Sequence, residues 1–289
     1  MGIIFVDFYG VIIKFIGNSY SSPQLAFFRN FFALIPIILL LIITRDIKNI
    51  FVGISKKFLF LCFLRGISFV LMQIFYYISI INMNFATATT LTFSSPIFIV
   101  VLSMLVLKEK IGLFRWSAIF IGFGGVLLIM NPTSELFSYI SILPLLAALC
   151  WAISNIVLKF IPEDISSVKI NFYSINFSYI GSLIILFFSS DFSPVENSFD
   201  WLLLILIGIL GGVASILFSF AYRVVSPSTL APFEYLGIPS SFILGWIFFY
   251  EAPIEQLFPG VLGVVAAGFI IIWREKKLSI GKIVSNKIH

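Results

Sequence analysis

Four ionisable side chains stand inside stretches that are otherwise apolar: Asp7 in FVDFYG, Arg29 in FFRNFF, Arg65 in FLRGIS and Glu234 in APFEYLG. A charge at bilayer depth costs several kcal/mol and ordinarily faces a cavity or a partner. The chemistry open to such groups is the holding of a cation, a proton or a polar solute, or pairing with one another. Arg65 and Glu234 each lie about seven residues from the same end of their stretches, and so at similar depth at 1.5 Å per helical residue. Three readings follow from that placement: an ion pair that closes one side, a proton-coupling role for Glu234, and a permanent structural pair. Asp7 near mid-depth needs water, a proton, a cation or Arg29 as its partner, and Arg29 is either a structural anchor or a substrate contact.

Polar aromatics and hydroxyls accompany these charges. Tyr76 follows Arg65 by eleven positions, three helical turns, and shares nearly the same face. Trp151 and Asn155 have i, i+4 spacing, Tyr222 ends an apolar stretch, and Thr92 precedes Pro96 as Glu234 precedes Pro239. Aromatic walls with a few placed polar groups are what small-molecule pockets offer. The same residue types also form interfacial belts. Asp7, Tyr76, Thr92, Trp151, Asn155, Tyr222 and Glu234 are the candidate cavity residues, with Arg29 and Arg65 as gating or structural charges.

The elements that must carry these residues are long and apolar. The chain has 289 residues, 60% hydrophobic and 11% charged, against about a quarter charged in soluble domains. A span of roughly 30 Å takes about 20 helical residues, and the apolar stretches predict ten spans: 2–17, 23–43, 58–81, 85–107, 112–130, 139–160, 167–189, 201–223, 228–250 and 257–273. The first has no basic leader and no small-residue cleavage site before GNSYSSPQ, so it is expected to be retained rather than removed as a signal peptide.

Basic residues concentrate in cytoplasmic loops. With the N-terminus inside, fifteen of the eighteen lysines and arginines fall on the cytoplasmic side, which places both termini in the cytoplasm of a bacterial inner membrane protein. The net charge of +5 thus reports topology, and nucleic-acid binding is not expected. Cys62 and Cys150 lie within spans without metal-ligand spacing and His289 is the single histidine, so no metal, cofactor or disulfide is expected. No nucleophile and base constellation or phosphate-binding loop occurs, which speaks against an enzyme.

The second half repeats the first. The stretch from Phe85 to Met130 reappears about 142 positions later, with Glu109 falling on Glu251, Gly122 within a residue of Gly263, and Pro96 within a residue of Pro239. Glu109 and Glu251 read as structural corners, and the glycines of GFGGV and GILGG as helix-packing positions. Five spans per half is an odd number, so the second half enters the membrane the other way up, as in many secondary transporters. The expected fold is an all-α integral membrane protein of ten helices. Two inverted five-helix repeats, 1–131 and 139–273, surround a central cavity, and a basic tail follows at 274–289. The repeats differ at Thr92 against Glu234, Arg29 against Ser174 and Asp7 against Ala152, and these breaks in symmetry mark the expected substrate region.

Several marks carry a resemblance to a known family: Lys14 ending span one, Pro23 and Arg29 in span two, YYISIINMNFATATTLTFSSPIF across spans three and four, LKEKI, GFGGVLLIMNP, and LAALCWAISNIVLKF in the second half. Over nearly its whole length the chain resembles the ten-helix EamA-type members of the drug/metabolite transporter superfamily. It departs from them in having LKEK where a Gly-Glu-Arg ending is commoner. The resemblance implies a secondary transporter working by alternating access on a small polar metabolite: an amino acid or derivative, or an S-adenosylmethionine-like or riboflavin-like solute. A coupling proton and membrane lipids are the other expected partners, in a monomer or a homodimer. The alternative is a flippase or a non-transporting assembly subunit.

Overall fold

A computed structural model describes residues 2–130 and 139–250 and positions 262, 263 and 266. Glu251, most of the expected tenth span and the basic tail lie outside the described residues. Every regular element among the described residues is helical: α1 (Gly2–Ile16), α2 (Ser22–Ile43), α3 (Lys56–Asn82), α4 (Phe85–Thr92), α5 (Ser95–Val106), α6 (Leu113–Met130), α7 (Ile142–Val157), α8 (Ser167–Ser189), α9 (Ser198–Val224), α10 (Pro227–Leu230) and α11 (Gly237–Phe249). Five are long and apolar enough to cross a membrane: Ser22–Ile43, Lys56–Asn82, Ile142–Phe160, Ser167–Ser189 and Ser198–Val224. Their starts are written locally. Ser21, Ser55 and Ser166 each accept a hydrogen bond from the backbone N–H three residues on, which satisfies a donor that the first helical turn would otherwise leave bare. Large apolar side chains such as Phe187 and Phe188 stand exposed on the outside, as a lipid-facing surface requires.

Two stretches expected as continuous spans are broken. The first divides into α4 and α5 at Phe93 and Ser94, where the Ser94 N–H bonds back to Leu91 in a tighter turn. Pro96, in the first turn of α5, has no N–H to bridge that turn. The second divides into α10, a 3-10 segment (Ala231–Leu236) and α11, with Pro227, Pro232 and Pro239 along it. The breaks lie about 142 positions apart, so both halves carry an interrupted helix in the same place.

Packing follows the same correspondence. α2 packs on α9 as α8 packs on α3; α1 packs on α9 as α7 packs on α3; α1 packs on α11 as α7 packs on α5; and α2 and α8 pack on each other. Glycines permit the close crossings. A Cβ on Gly208 would stand 2.2 Å from Phe32 Cβ, and one on Gly66 would stand 2.6 Å from the Ser174 carbonyl oxygen. Gly66 and Gly208 are 142 apart, and a Cβ on Gly66 would also stand 2.7 Å from the Cβ of Phe177, which lies 145 past Phe32. The same spacing of 145 separates Ser21 from Ser166 at the starts of α2 and α8 and Arg29 from Ser174 within them. Among the described residues four non-glycine residues take positive φ, and they also fall in pairs: Arg45 and Ser190 after α2 and α8, Lys108 and Tyr250 after α5 and α11.

Two latches join the halves at opposite ends of α2. At its start, Ser21 donates to the Asp191 carbonyl (2.8 Å), Gln24 donates to the Ser193 carbonyl (2.6 Å), and the Tyr20 hydroxyl donates to Asp200 Oδ2 (2.6 Å). Past its end, Lys169 donates to the Asn49 and Val52 carbonyls and Tyr173 to that of Ile50. The start of each of α2 and α8 therefore grips the loop that follows the other, and the two helices run antiparallel. Burial, and then the hydrogen bond to Asp200, push the Tyr20 hydroxyl from the ordinary 10 up to about 12. The neutral phenol is the form the fold favours, so its contribution is complete below pH 10 and disappears as pH rises towards 12. Tyr20→Phe is expected to cost about 0.5–1.5 kcal/mol, and the difference from wild type in thermal unfolding should vanish over that alkaline interval.

Candidate functional site

Where the interrupted spans meet α1, α3, α7 and α9 lies a small cavity of about 90 Å³. Tyr9, Tyr76, Phe93, Trp151 and Phe218 supply its aromatic walls, and Asp7, Thr89, Thr92, Ser95 and Glu234 its polar points. The Trp151 indole meets Phe218 edge-on at 4.9 Å, a favoured arrangement of aromatic pairs. No lysine or arginine lines the cavity among the described residues.

Glu234 sits in the 3-10 segment, 6% exposed. Its Oε1 accepts from the Trp151 indole (2.8 Å) and the Tyr222 hydroxyl (2.6 Å), and its Oε2 accepts from the Ser95 hydroxyl (2.6 Å). Donors from α7, α9 and α5 thus converge on one carboxylate. Asp7, 3% exposed on α1, accepts from the Ser240 hydroxyl of α11. Lys14, one turn from the end of α1, donates to the Met83 carbonyl between α3 and α4 (2.9 Å) and lies over the Phe249 ring at 5.1 Å.

Of the nine candidate residues, the structure brings Asp7, Tyr76, Thr92, Trp151 and Glu234 to one cavity. Tyr222 stands behind it, its hydroxyl on Glu234. Asn155 is not a lining residue: its amide donates back to the Trp151 carbonyl (3.0 Å), because the i, i+4 spacing that puts both on one face also brings that carbonyl within reach.

The ion pair between Arg65 and Glu234, one of the readings open from their depth, is not formed. Arg65 donates from Nη2 to Ser219 Oγ (2.7 Å) and from Nη1 to Asn171 Oδ1 (3.4 Å), so the guanidinium is directed towards α8 and α9 while Glu234 is filled by neutral donors. Arg29 does not pair with Asp7 either. It donates to the Gly211 carbonyl (2.8 Å), Ser215 Oγ (3.0 Å) and Asn30 Oδ1 (3.1 Å), and lies 4.8 Å from the centre of the Phe69 ring. Asn30 and Gln73 join their amides beside it. Gly211 leaves room for this side chain, since a Cβ there would stand 2.4 Å from Arg29 Nε. Both arginines thus belong to a polar layer between α2, α3, α8 and α9.

Sequence reasoning missed Ser95, Ser240, Thr89, Tyr9 and Phe218. For the two serines a signal exists, because each adjoins a proline of the matched pair, in SSP and PSS. Nothing local distinguishes Phe218 from the many other phenylalanines of the spans.

Away from the cavity residues, Ser228 of α10 donates to Glu109 Oε2 beyond α5 (2.5 Å), tying together the two interrupted spans.

The profile of the EamA-like transporter family matches residues 1–131 and again 138–273. The S-adenosylmethionine uptake transporter of Rickettsia bellii is 29% identical over 275 residues, 94% of this chain and 91% of its own length. The riboflavin transporter of Vibrio cholerae is 32% identical over 189 residues, 65% of this chain and 62% of its own. A solved structure described only as "Crystal structure of protein" superposes with a TM-score of 0.68 at 14% identity, covering 96% of this chain and 98% of that one, a likeness of fold.

Proposed function

Because the chain belongs to the EamA-like transporter family, we propose that it moves a small organic cation of the S-adenosylmethionine class across the bacterial inner membrane through the cavity at Glu234 and Asp7. The observation that carries this reading is the cavity's chemistry: two carboxylates, aromatic walls and no basic side chain among its described lining residues. A sulfonium or ammonium centre is favoured by both carboxylate and aromatic faces. A full-length relative named for S-adenosylmethionine uptake supports the same class.

The transport step we propose is alternating access by two inverted five-helix repeats, 1–131 and 139–273. The antiparallel pairing of α2 with α8, the matched glycine crossings and the paired helix breaks support that plan. Discontinuous helices at corresponding places in two repeats are where transporters of this design bind substrate. Both termini lie in the cytoplasm in this reading, from the distribution of lysine and arginine.

Uptake into proteoliposomes tests the proposal. Radiolabelled S-adenosylmethionine should enter saturably, and S-adenosylhomocysteine, which lacks the sulfonium charge, should compete about tenfold less well, a difference of about 1.4 kcal/mol. Saturable riboflavin or amino-acid uptake without S-adenosylmethionine uptake would overturn the substrate class.

A further inference from the structure

The two carboxylates of the cavity are not equivalent, and their hydrogen bonds separate their tasks. An ionised carboxylate has about four lone-pair sites to satisfy. In Glu234 both oxygens are engaged, by Trp151, Tyr222 and Ser95, each from a different helix. In Asp7 only Oδ2 has a partner, Ser240; Oδ1 makes no hydrogen bond within the described residues and opens on the cavity. A second polar group there is also uncommitted. The Tyr76 hydroxyl makes no hydrogen bond within the described residues, and its side chain lines the same cavity. It lies against α1 one turn beyond Asp7: a Cβ on Gly10 would stand 3.2 Å from it, and Gly10 is at i+3 from Asp7, on the same face. The remaining hydroxyls of the wall are engaged internally, Thr89 on the Phe85 carbonyl, Thr92 on the Ala88 carbonyl, Ser95 on Glu234 and Tyr9 with Arg29.

We infer that Asp7, assisted by Tyr76, is the group that holds the cationic centre of the substrate, and that Glu234 is a positioning residue binding α5, α7 and α9 to the broken ninth span. A carboxylate oxygen that opens without a partner on a cavity with mostly apolar walls is costly at membrane depth, and a cation from the cavity is its natural complement. Glu234 offers a substrate no free oxygen until Ser95, Trp151 or Tyr222 lets go. The selectivity of the site for a positive centre therefore resides on α1, in the first half, at a position where the second half has Ala152.

This assignment rests on the transport reading above, and one experiment separates the two. Purified full-length protein is treated with dicyclohexylcarbodiimide, which modifies carboxyl groups that an apolar reagent reaches, and the labelled sites are mapped by mass spectrometry. Asp7 should be modified and Glu234 spared, and S-adenosylmethionine added beforehand should protect Asp7. In parallel, Asp7→Asn, which keeps an acceptor for Ser240, should weaken S-adenosylmethionine binding at least about tenfold, and Asp7→Glu should restore part of it. Tyr76→Phe should weaken it less. Labelling at Glu234 in place of Asp7, or wild-type affinity in Asp7→Asn, overturns the assignment. If S-adenosylmethionine neither binds nor protects the wild type, the substrate reading fails, and the labelling pattern, which needs no substrate, still decides between the carboxylates.

Discussion

Glu234→Ala is expected to unfold about 5–15 °C below wild type and to lose transport. The substitution removes one acceptor and leaves three buried donors: the Ser95 and Tyr222 hydroxyls and the Trp151 indole. Each orphaned donor costs about 1–3 kcal/mol in a soluble interior, and measured interhelical hydrogen bonds in membranes average about 0.6 kcal/mol. The sum is about 2–5 kcal/mol, and each kcal/mol shifts the midpoint by about 2–4 °C in a domain of 150–250 residues. Glu234→Gln keeps the carbonyl that Trp151 and Tyr222 address and offers Ser95 an amide to accept from, so it should recover more than half of the loss. Tryptophan fluorescence during a thermal ramp in detergent measures both. A midpoint within a degree of wild type for the alanine variant would refute the view that this carboxylate holds three helices together.

The second large effect belongs to helix packing. Gly208→Ala places a methyl group 2.2 Å from Phe32 Cβ and 3.0 Å from its backbone. The obstacle is the root of a side chain, which no change of rotamer can move, so α2 and α9 must separate. Overpacking of this kind costs about 1–3 kcal/mol and sometimes more. Gly66→Ala meets the Ser174 carbonyl at 2.6 Å in the corresponding crossing of α3 and α8 and should behave alike. Gly124→Ala is the control, because nothing among the described residues lies within 4 Å of its Cβ position. Size-exclusion profiles of the three variants should show loss of the monodisperse peak in the first two and its retention in the third. Equal behaviour of Gly208→Ala and Gly124→Ala would contradict the packing.

Glu234 and Gly208 also show what could be read before any coordinates. Glu234 was a candidate because a lone carboxylate in an apolar stretch needs a reason, and that reason is local to the sequence. Its partners were not legible: Arg65 was the obvious one by charge and depth, yet Ser95, Trp151 and Tyr222 hold the site. Depth along a helix follows from counting residues, whereas the direction in which a side chain points also depends on how each helix is rotated about its axis. α8 illustrates the difficulty, since apolar residues surround it and its sequence favours no single face. Asn155 failed as a lining residue for a related reason: its spacing from Trp151 was right, but its amide turned back to the helix it belongs to. The breaks at Phe93–Ser94 and Ala231–Leu236 were announced by Pro96 and Pro239, although a kink and an interruption look the same in sequence.

The sequence by itself determined the apolar lengths of the helices, the correspondence near 142 positions between the halves, and the few ionisable groups whose burial demands an explanation. These are properties of composition and spacing, and they survive without knowledge of neighbours. Only the tertiary structure decided which carboxylate is saturated and which is open, that both arginines join a polar layer away from the cavity, and which serines complete the site. The physical reason is distance along the chain. Asp7 meets Ser240 across 233 positions and Glu234 meets Ser95 across 139, and contacts so remote are set by how whole helices pack.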